Sequence, residues 1–400
     1  MKMTDKLNEK IFTKEFFLIF GALLFSALVM YALMSTVTEY STKMGSTASI
    51  AGLVSGIYVF GGLCSRIYSG NALEQIGWKK ITVIFMFIHF FACFLYFIAN
   101  NVTLLIIVRF IHGIGFGAAA NGITTIATAI MPKKRFSEAF GYFMIGTTIA
   151  VGLGPFIGEM VYDNLGPQFC FITAGIFAFM ALICILLINI DKYDHKRNKH
   201  EDENCKGIKK VLEPSAIGVS IFTALTALGF VSLLSFHKLY AIQTNLQSTF
   251  AWFFIIYAIC LLISRPVAGR LQDNGKDKIV CVVGIIAQTI GLLLIGLVPT
   301  SITVIICAIC ASLGFGTLSS AGTAIITRNT PENRRSYAVS TFMMFCDGTI
   351  GFGPALLGCF VSEATGYAQL YIIAAIITLL ALPICLYALK NNNFKISSQT

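Results

Sequence analysis

Ser65 to Lys80 reads SRIYSGNALEQIGWKK, and Ser264 to Lys278 reads SRPVAGRLQDNGKDK. The two stretches start 199 residues apart (65 and 264) and carry the same signals in the same order. In each, a Ser-Arg pair closes an apolar run of helical length. A glycine follows the arginine by four residues, Gly70 after Arg66 and Gly269 after Arg265, and a carboxylate follows that glycine by four, Glu74 and Asp273. Another glycine and lysines come next, with Gly77 in the first copy. A shared register between two apolar halves marks a duplicated unit, and a short basic stretch repeated between apolar runs suits a gate to which both halves contribute.

Working outward, the same offset relates Tyr58 to Tyr257, GIGFG at 113–117 to SLGFG at 312–316, Pro132 to Pro331, and Gly154-Pro155 to Gly353-Pro354. Apolar runs of spanning length fall near 16–37, 46–68, 81–99, 102–126, 138–161 and 168–190, then near 214–237, 248–268, 279–298, 301–324, 337–360 and 367–389. Six spans per half is an even number, so both copies insert with the same topology, as a parallel repeat. The expected fold is an all-α membrane protein of twelve transmembrane helices in two pseudo-symmetric six-helix bundles. Its parts are a first bundle at 1–190, a cytoplasmic linker at 191–213, a second bundle at 214–390 and a cytoplasmic tail at 391–400.

Composition forces the same solvent. Hydrophobic residues make up 56% of the chain and charged ones 12%, and mean hydropathy is +0.79; so much apolar surface needs lipid. The net charge of +10 arises from an asymmetry. With the N-terminus inside, 26 of the 29 Lys and Arg fall on the inner side, Lys43 and Lys238 fall outside, and Arg109 lies within a span. That is the positive-inside pattern of a multi-pass protein of the cell membrane with both termini cytoplasmic, and it argues against a nucleic-acid partner. The start, MKMTDKLNEKIFTKEFF, reads as a cytoplasmic tail with no cleavable signal.

Several features suggest chemistry and carry little. Of the 12 cysteines, Cys307 and Cys310 form C-x-x-C inside an apolar run, where they are small packing residues. His195 and His200 in the linker match no ligand spacing, so no metal and no cofactor is expected. The chain has no nucleotide-binding loop and no Ser-His-Asp pattern, which leaves an ion gradient as the energy source and argues against an enzyme.

Charged groups inside spans are costly and mark function. Arg109, in LLIIVRFIHGIGFGAAANGITT, sits about 10 Å below the outer boundary at 1.5 Å per residue and should face a cavity or a carboxylate. His112 follows on the same helical face. His89, in the third span, is expected to be held by a backbone carbonyl, and Glu159 to be a solvated carboxylate at the outer interface. Asp347, in FMMFCDGTIGFGP, breaks the repeat, since its counterpart is Thr148. It lies about 16 Å deep, near the midplane. A carboxylate there suits a proton carrier, with Arg109 modulating it and His112 relaying the proton or touching substrate. Asn121 and Gln288 are further polar candidates for a substrate cavity.

These residues resemble the major facilitator superfamily over nearly the whole chain, and within it the twelve-span drug/proton antiporter branch. The signature G-x-x-x-D-R-x-G-R-K is met by Gly70, Glu74, Gly77 and Lys79, with Gln75 and Trp78 at its arginine positions; the second copy keeps Gly269, Asp273 and Gly275. R-x-x-x-G is met by Arg109 and Gly113. The antiporter signature G-P-x-x-G-G is met by Gly154, Pro155 and Gly158, with Glu159 last; Gly353 and Pro354 repeat the start of this helix-bend motif, with Gly358 one residue further along than Gly158 is in the first copy.

The resemblance implies two bundles that alternate access to a midplane site, exporting small amphipathic compounds in exchange for protons as a monomer in the bilayer. Transport of one particular metabolite, such as a sugar, siderophore or amino-acid derivative, stays open beside it. It also implies a cytoplasmic gate built on Arg66 and Arg265, pairing Glu74 with Arg334 or Arg335 and Asp273 with Lys134 or Arg135.

Overall fold

The structure is a computed structural model that describes residues 10–132, 135–190, 213–331, 334–361 and 366–396. Lys134 and the linker at 191–212, with His195 and His200, lie outside them, as do the surroundings of Gly70 and the side chain of Glu74. Among the described residues there is no strand, and twelve long helices carry the fold.

The helices are α1 (Lys14–Lys43), α2 (Ala48–Ile76), α3 (Trp78–Leu95), α4 (Val102–Ile130), α5 (Phe136–Leu165), α6 (Pro167–Leu187), α7 (Pro214–Thr244), α8 (Phe253–Asp273), α9 (Asp277–Leu297), α10 (Ser301–Asn329), α11 (Arg335–Gly358) and α12 (Gly366–Ile396). Eleven are long and apolar enough to cross a membrane; α11, which carries Asp347, is the one outside that set. Their starts are specified locally. The side chains of Thr13 and Asn101 accept from Phe16 N and Leu104 N as N-caps, Thr300 and Thr303 form a capping box, and Pro167 and Pro214 occupy first-turn positions that need no N–H donor.

The repeated stretches are mostly helix and not loop. α2 runs on to Ile76 and α3 begins at Trp78, so the connection is Gly77 alone, with φ of 119°. In the second copy α8 ends at Asp273 and Gly275, φ 71°, makes the turn. A left-handed φ is what glycine supplies without a Cβ clash, which accounts for the repeated glycine. Lys79, one residue past the next helix start, donates to the carbonyls of Leu186 and Ile188 at 3.0 and 2.6 Å, tying α3 to the end of α6.

Lys43 and Lys238, expected beyond the ends of their spans, also proved helical. STVTEYSTK continues α1 with its hydroxyls satisfied on the preceding turn, Thr36 to Ala32 O, Thr38 to Met34 O and Thr42 to Thr38 O, each at 2.9 Å. Polar content therefore did not end the helix. Lys238, read as an outer loop residue, lies within α7 and is buried.

The chain divides into two compact units, residues 1–44 with 57–200, and residues 45–56 with 201–400. Unit 1 has a core of Phe16, Ile19, Met86, Ile126, Phe143 and Ile185; unit 2 has one of Phe222, Ile285, Leu318, Ile325, Phe342 and Cys346. In each, apolar stripes stand exposed at helical spacing, such as Phe87, Phe91 and Phe94 on α3, and Ile279, Val283, Ile286 and Ile290 on α9. Faces of that size suit acyl chains and would aggregate in water.

Glycines set the helix spacing. A Cβ on Gly158 would stand 2.3 Å from Ala32 O and one on Gly154 2.6 Å from Tyr31 Cβ, so the antiporter-type motif is the α5 contact with α1. Within unit 2, the start of α2 meets α11 equally closely, with a Cβ on Gly56 only 1.8 Å from Gly351 O and one on Gly358 2.5 Å from Ala48 O. α5 and α11 run through Pro155 and Pro354 without interruption.

Candidate functional site

In unit 1, three glycines of α4 lay its backbone against two neighbours at once. A Cβ on Gly113 would be 1.9 Å from Tyr58 O, one on Gly117 2.3 Å from Gly62 O, both on α2, and one on Gly115 2.6 Å from His89 N on α3. That close approach drives Arg109 and His112 into a buried polar cluster with Tyr58, His89, Cys93 and Tyr96.

Arg109 is 0% exposed. Its guanidinium lies over the Tyr58 ring, 4.5 Å from the centroid, and donates to Tyr96 Oη at 3.4 Å. A cation over an aromatic face is partly compensated where water cannot reach, which makes the position tolerable. His112 Nδ1 is 2.9 Å from the same hydroxyl, and its ring makes an edge contact with Tyr58 at 5.1 Å. His89 does not have the expected partner. Among the described residues neither of its ring nitrogens is hydrogen-bonded, and its carbonyl instead accepts from Cys93 Sγ at 3.5 Å. The two imidazole rings lie 4.7 Å apart.

A second polar group in unit 1 joins α1 and α5. Glu159 is buried at 8% exposure, which overturns the expectation of a solvated carboxylate, and Ser35 donates to it at 2.9 Å. One turn on, Glu39, also buried, pairs with Lys43 at 2.7 Å, and Lys43 lies over the Tyr162 ring. The sequence reading ended the first span near residue 37, which left Lys43 outside it and gave no sign that α1 would carry Ser35 and Glu39 up to Glu159 and Tyr162.

In unit 2, Asp347 lies mid-way along α11, half-buried, next to the core residue Cys346. A Cβ on the next residue, Gly348, would meet nothing within 4 Å. Gln288 is 1% exposed and both ends of its amide are engaged. It donates to Thr226 O at 2.7 Å and accepts from Phe315 N at 2.6 Å. Phe315 belongs to a π-helical turn, Ser312–Gly316, in which Gly314 has a non-helical ψ of −122°. The amide thus captures a backbone donor that the turn releases. Asn121 is half-buried and donates to Ser69 Oγ of α2 at 3.1 Å.

The gate residues are seen only in part. Arg135 pairs with Glu138 at 2.8 Å and Arg334 with Glu213, each inside its own unit. Burial raises the Glu213 carboxyl, but hydrogen bonds from Arg334 and Ser215 outweigh it and hold the group below the usual range. Asp273 is exposed, as is Arg335, and Arg66 is half-buried. Arg265 donates to Gly316 O at 3.5 Å, and Gly269 has open space around it. Among the described residues no group of three or more His, Cys, Asp or Glu could hold a metal ion.

The family model described as Major Facilitator Superfamily matches residues 19–247 and 219–399. An uncharacterized MFS-type transporter of Methanocaldococcus jannaschii is 24% identical over 351 residues, 85% of this chain and 89% of its own. The uncharacterized MFS-type transporter YhhS of Escherichia coli is 26% identical over 352 residues, 85% of this chain and 83% of its own. The quinolone resistance protein NorA of Staphylococcus aureus is 22% identical over 212 residues, 53% of this chain and 54% of its own. Among solved structures, the nucleoside transporter NupG superposes with a TM-score of 0.71 at 14% identity, covering 95% of this chain and 100% of that one. A peptide transporter, POT, does so with a TM-score of 0.76 at 13% identity, covering 95% of each. At such identities the likeness is one of fold.

Proposed function

The chain belongs to the major facilitator superfamily and is a membrane transporter, not an enzyme, and from that premise we propose that it is a proton-coupled exporter of small amphipathic compounds. The observation that carries the reading is Asp347, a half-buried carboxylate in the middle of a helix of 24 residues. A bilayer tolerates an ionisable side chain at that depth only where it has work to do. Protonation removes its charge, and the neutral form can cross a change of access that the ionised form resists. Asp347 is the proton carrier, and Arg109 and His112 serve as auxiliary charge and relay. The likeness to a quinolone resistance protein over about half the chain supports an amphipathic cargo moving outward.

The two copies of the Ser65 and Ser264 stretch serve this reading as gate elements, with Glu74 and Asp273 as carboxylates that change partners as access alternates. The protein sits in the cell membrane with both termini cytoplasmic, following its basic residues. The test is a panel of cationic and neutral amphipathic solutes in proteoliposomes with an imposed pH gradient. Accumulation of a solute on the acidic side, cancelled by a protonophore, supports exchange. Movement indifferent to the gradient for every transported solute rejects it.

A further inference from the structure

The cluster around His112 contains a chain of four hydrogen bonds with a pure donor, the Arg109 guanidinium, at one end and a pure acceptor, the His89 carbonyl, at the other. Arg109 can only donate, so its N–H points at Tyr96 Oη, 3.4 Å away. At the other end the His89 carbonyl can only accept, so the Cys93 thiol spends its single proton there, at 3.5 Å. Between them stands His112, with Nε2 3.7 Å from Cys93 Sγ and Nδ1 2.9 Å from Tyr96 Oη. With the thiol proton on the carbonyl, the hydrogen between sulfur and imidazole sits on Nε2. A neutral imidazole then has a bare Nδ1, and the Tyr96 hydroxyl donates to it. This is the arrangement in which each of the four contacts carries one hydrogen; the opposite tautomer leaves the Tyr96 hydroxyl proton without an acceptor in the chain.

The alternative of an imidazolium with both nitrogens protonated puts a second cation beside the Arg109 guanidinium in a site closed to water, where like charges repel strongly. The other titratable groups facing His112 are Tyr58 from α2 and His89 from α3. Cys170 of α6 bonds away from the cluster, to Thr36 and the Gly158 carbonyl.

We infer that Tyr96 and Cys93 are positioning residues: together they hold His112 as the neutral Nε2–H tautomer and anchor the Arg109 guanidinium beneath Tyr58. The inference rests on the proposed roles of Arg109 and His112. Its consequence is that His112 presents no free lone pair in this arrangement. A proton can enter only after the Tyr96 hydrogen bond opens, which ties the relay to movement of α4 against α3.

Histidine-selective 15N spectra of the full-length chain in lipid nanodiscs test this without a known substrate. The chain has five histidines, and His112→Gln identifies the signal. The expected wild-type spectrum at neutral pH has a protonated Nε2 and a bare, hydrogen-bonded Nδ1 for His112. Tyr96→Phe keeps the ring that stacks on Phe171 at 4.8 Å and removes only the donor. It should reduce the tautomer preference by about fivefold to tenfold, the weight of one hydrogen bond, and Cys93→Ala should act in the same direction. A proton on Nδ1 in the wild type overturns the inference, as does a tautomer unmoved by either variant. Should Tyr96→Phe fail to fold, the wild-type spectrum and Cys93→Ala decide. Asp347→Asn should leave the spectrum unchanged, so failure of the coupling reading and failure of this inference are distinct results.

Discussion

Arg109 shows what a single residue can and cannot disclose. Its presence in an apolar run required some compensating environment, and sequence pointed to a cavity or a carboxylate. The environment found includes an aromatic face and a phenol, contributed by Tyr58 and Tyr96 from helices whose approach depends on Gly113 and Gly115. Which side chains three helices bring together depends on packing angles that no local pattern encodes, so Tyr96 and Cys93 escaped notice. Arg109→Lys keeps the charge but loses the planar fork that both stacks and donates. Its thermal midpoint should fall, by an amount equivalent to about 1–2 kcal/mol, and a midpoint equal to wild type would mean the stack contributes nothing. At Glu213 the argument concerns pH. Its folded carboxyl lies below its unfolded value, so the stabilisation is present above the usual glutamate range and fades as pH falls through the folded value. Thermal scans should show Glu213→Gln converging on wild type under acid and diverging from it at neutral pH; a constant gap would deny the linkage.

At the scale of elements, the helices were readable and their ends were not. Apolar runs located every span, because lipid leaves the backbone few alternatives to helix. The ends moved where hydroxyl side chains bonded back to the helix, as in STVTEYSTK, and where a one-residue turn at Gly77 let α2 and α3 extend toward each other. Glycine repeats announced close packing but not its partners. Gly113→Ala would press a methyl onto the Tyr58 carbonyl at 1.9 Å and force α4 from α2, costing about 1–3 kcal/mol. Gly141→Ala, on an open face of α5, should instead hold or raise the melting temperature, since alanine is the better helix former. Equal effects of the two would contradict the contact geometry. The π-helical turn in α10 broke the repeat invisibly, because SLGFG and GIGFG differ little as strings, and its capture by Gln288 comes from a different helix. Gln288→Leu strands Phe315 N and Thr226 O and should lower the thermal midpoint more than Asn121→Leu, whose amide is half-buried and makes one contact.

For the molecule as a whole, duplication and composition carried the reading furthest. A constant offset of matched residues and an apolar composition were enough to expect twelve helices in two halves, and the family match over both halves agrees with it. The cargo was not legible in the same way, since a cavity is shaped by side chains from several helices and no motif names its contents. What remains to be weighed is the claim that Asp347 links transport to protons. The most direct measurement compares wild type and Asp347→Asn in proteoliposomes loaded with an identified solute, recording uptake driven by a pH gradient alongside solute-for-solute counterflow at equal pH. The account predicts that the variant keeps counterflow and loses accumulation driven by the gradient. Full gradient-driven accumulation by Asp347→Asn would contradict it.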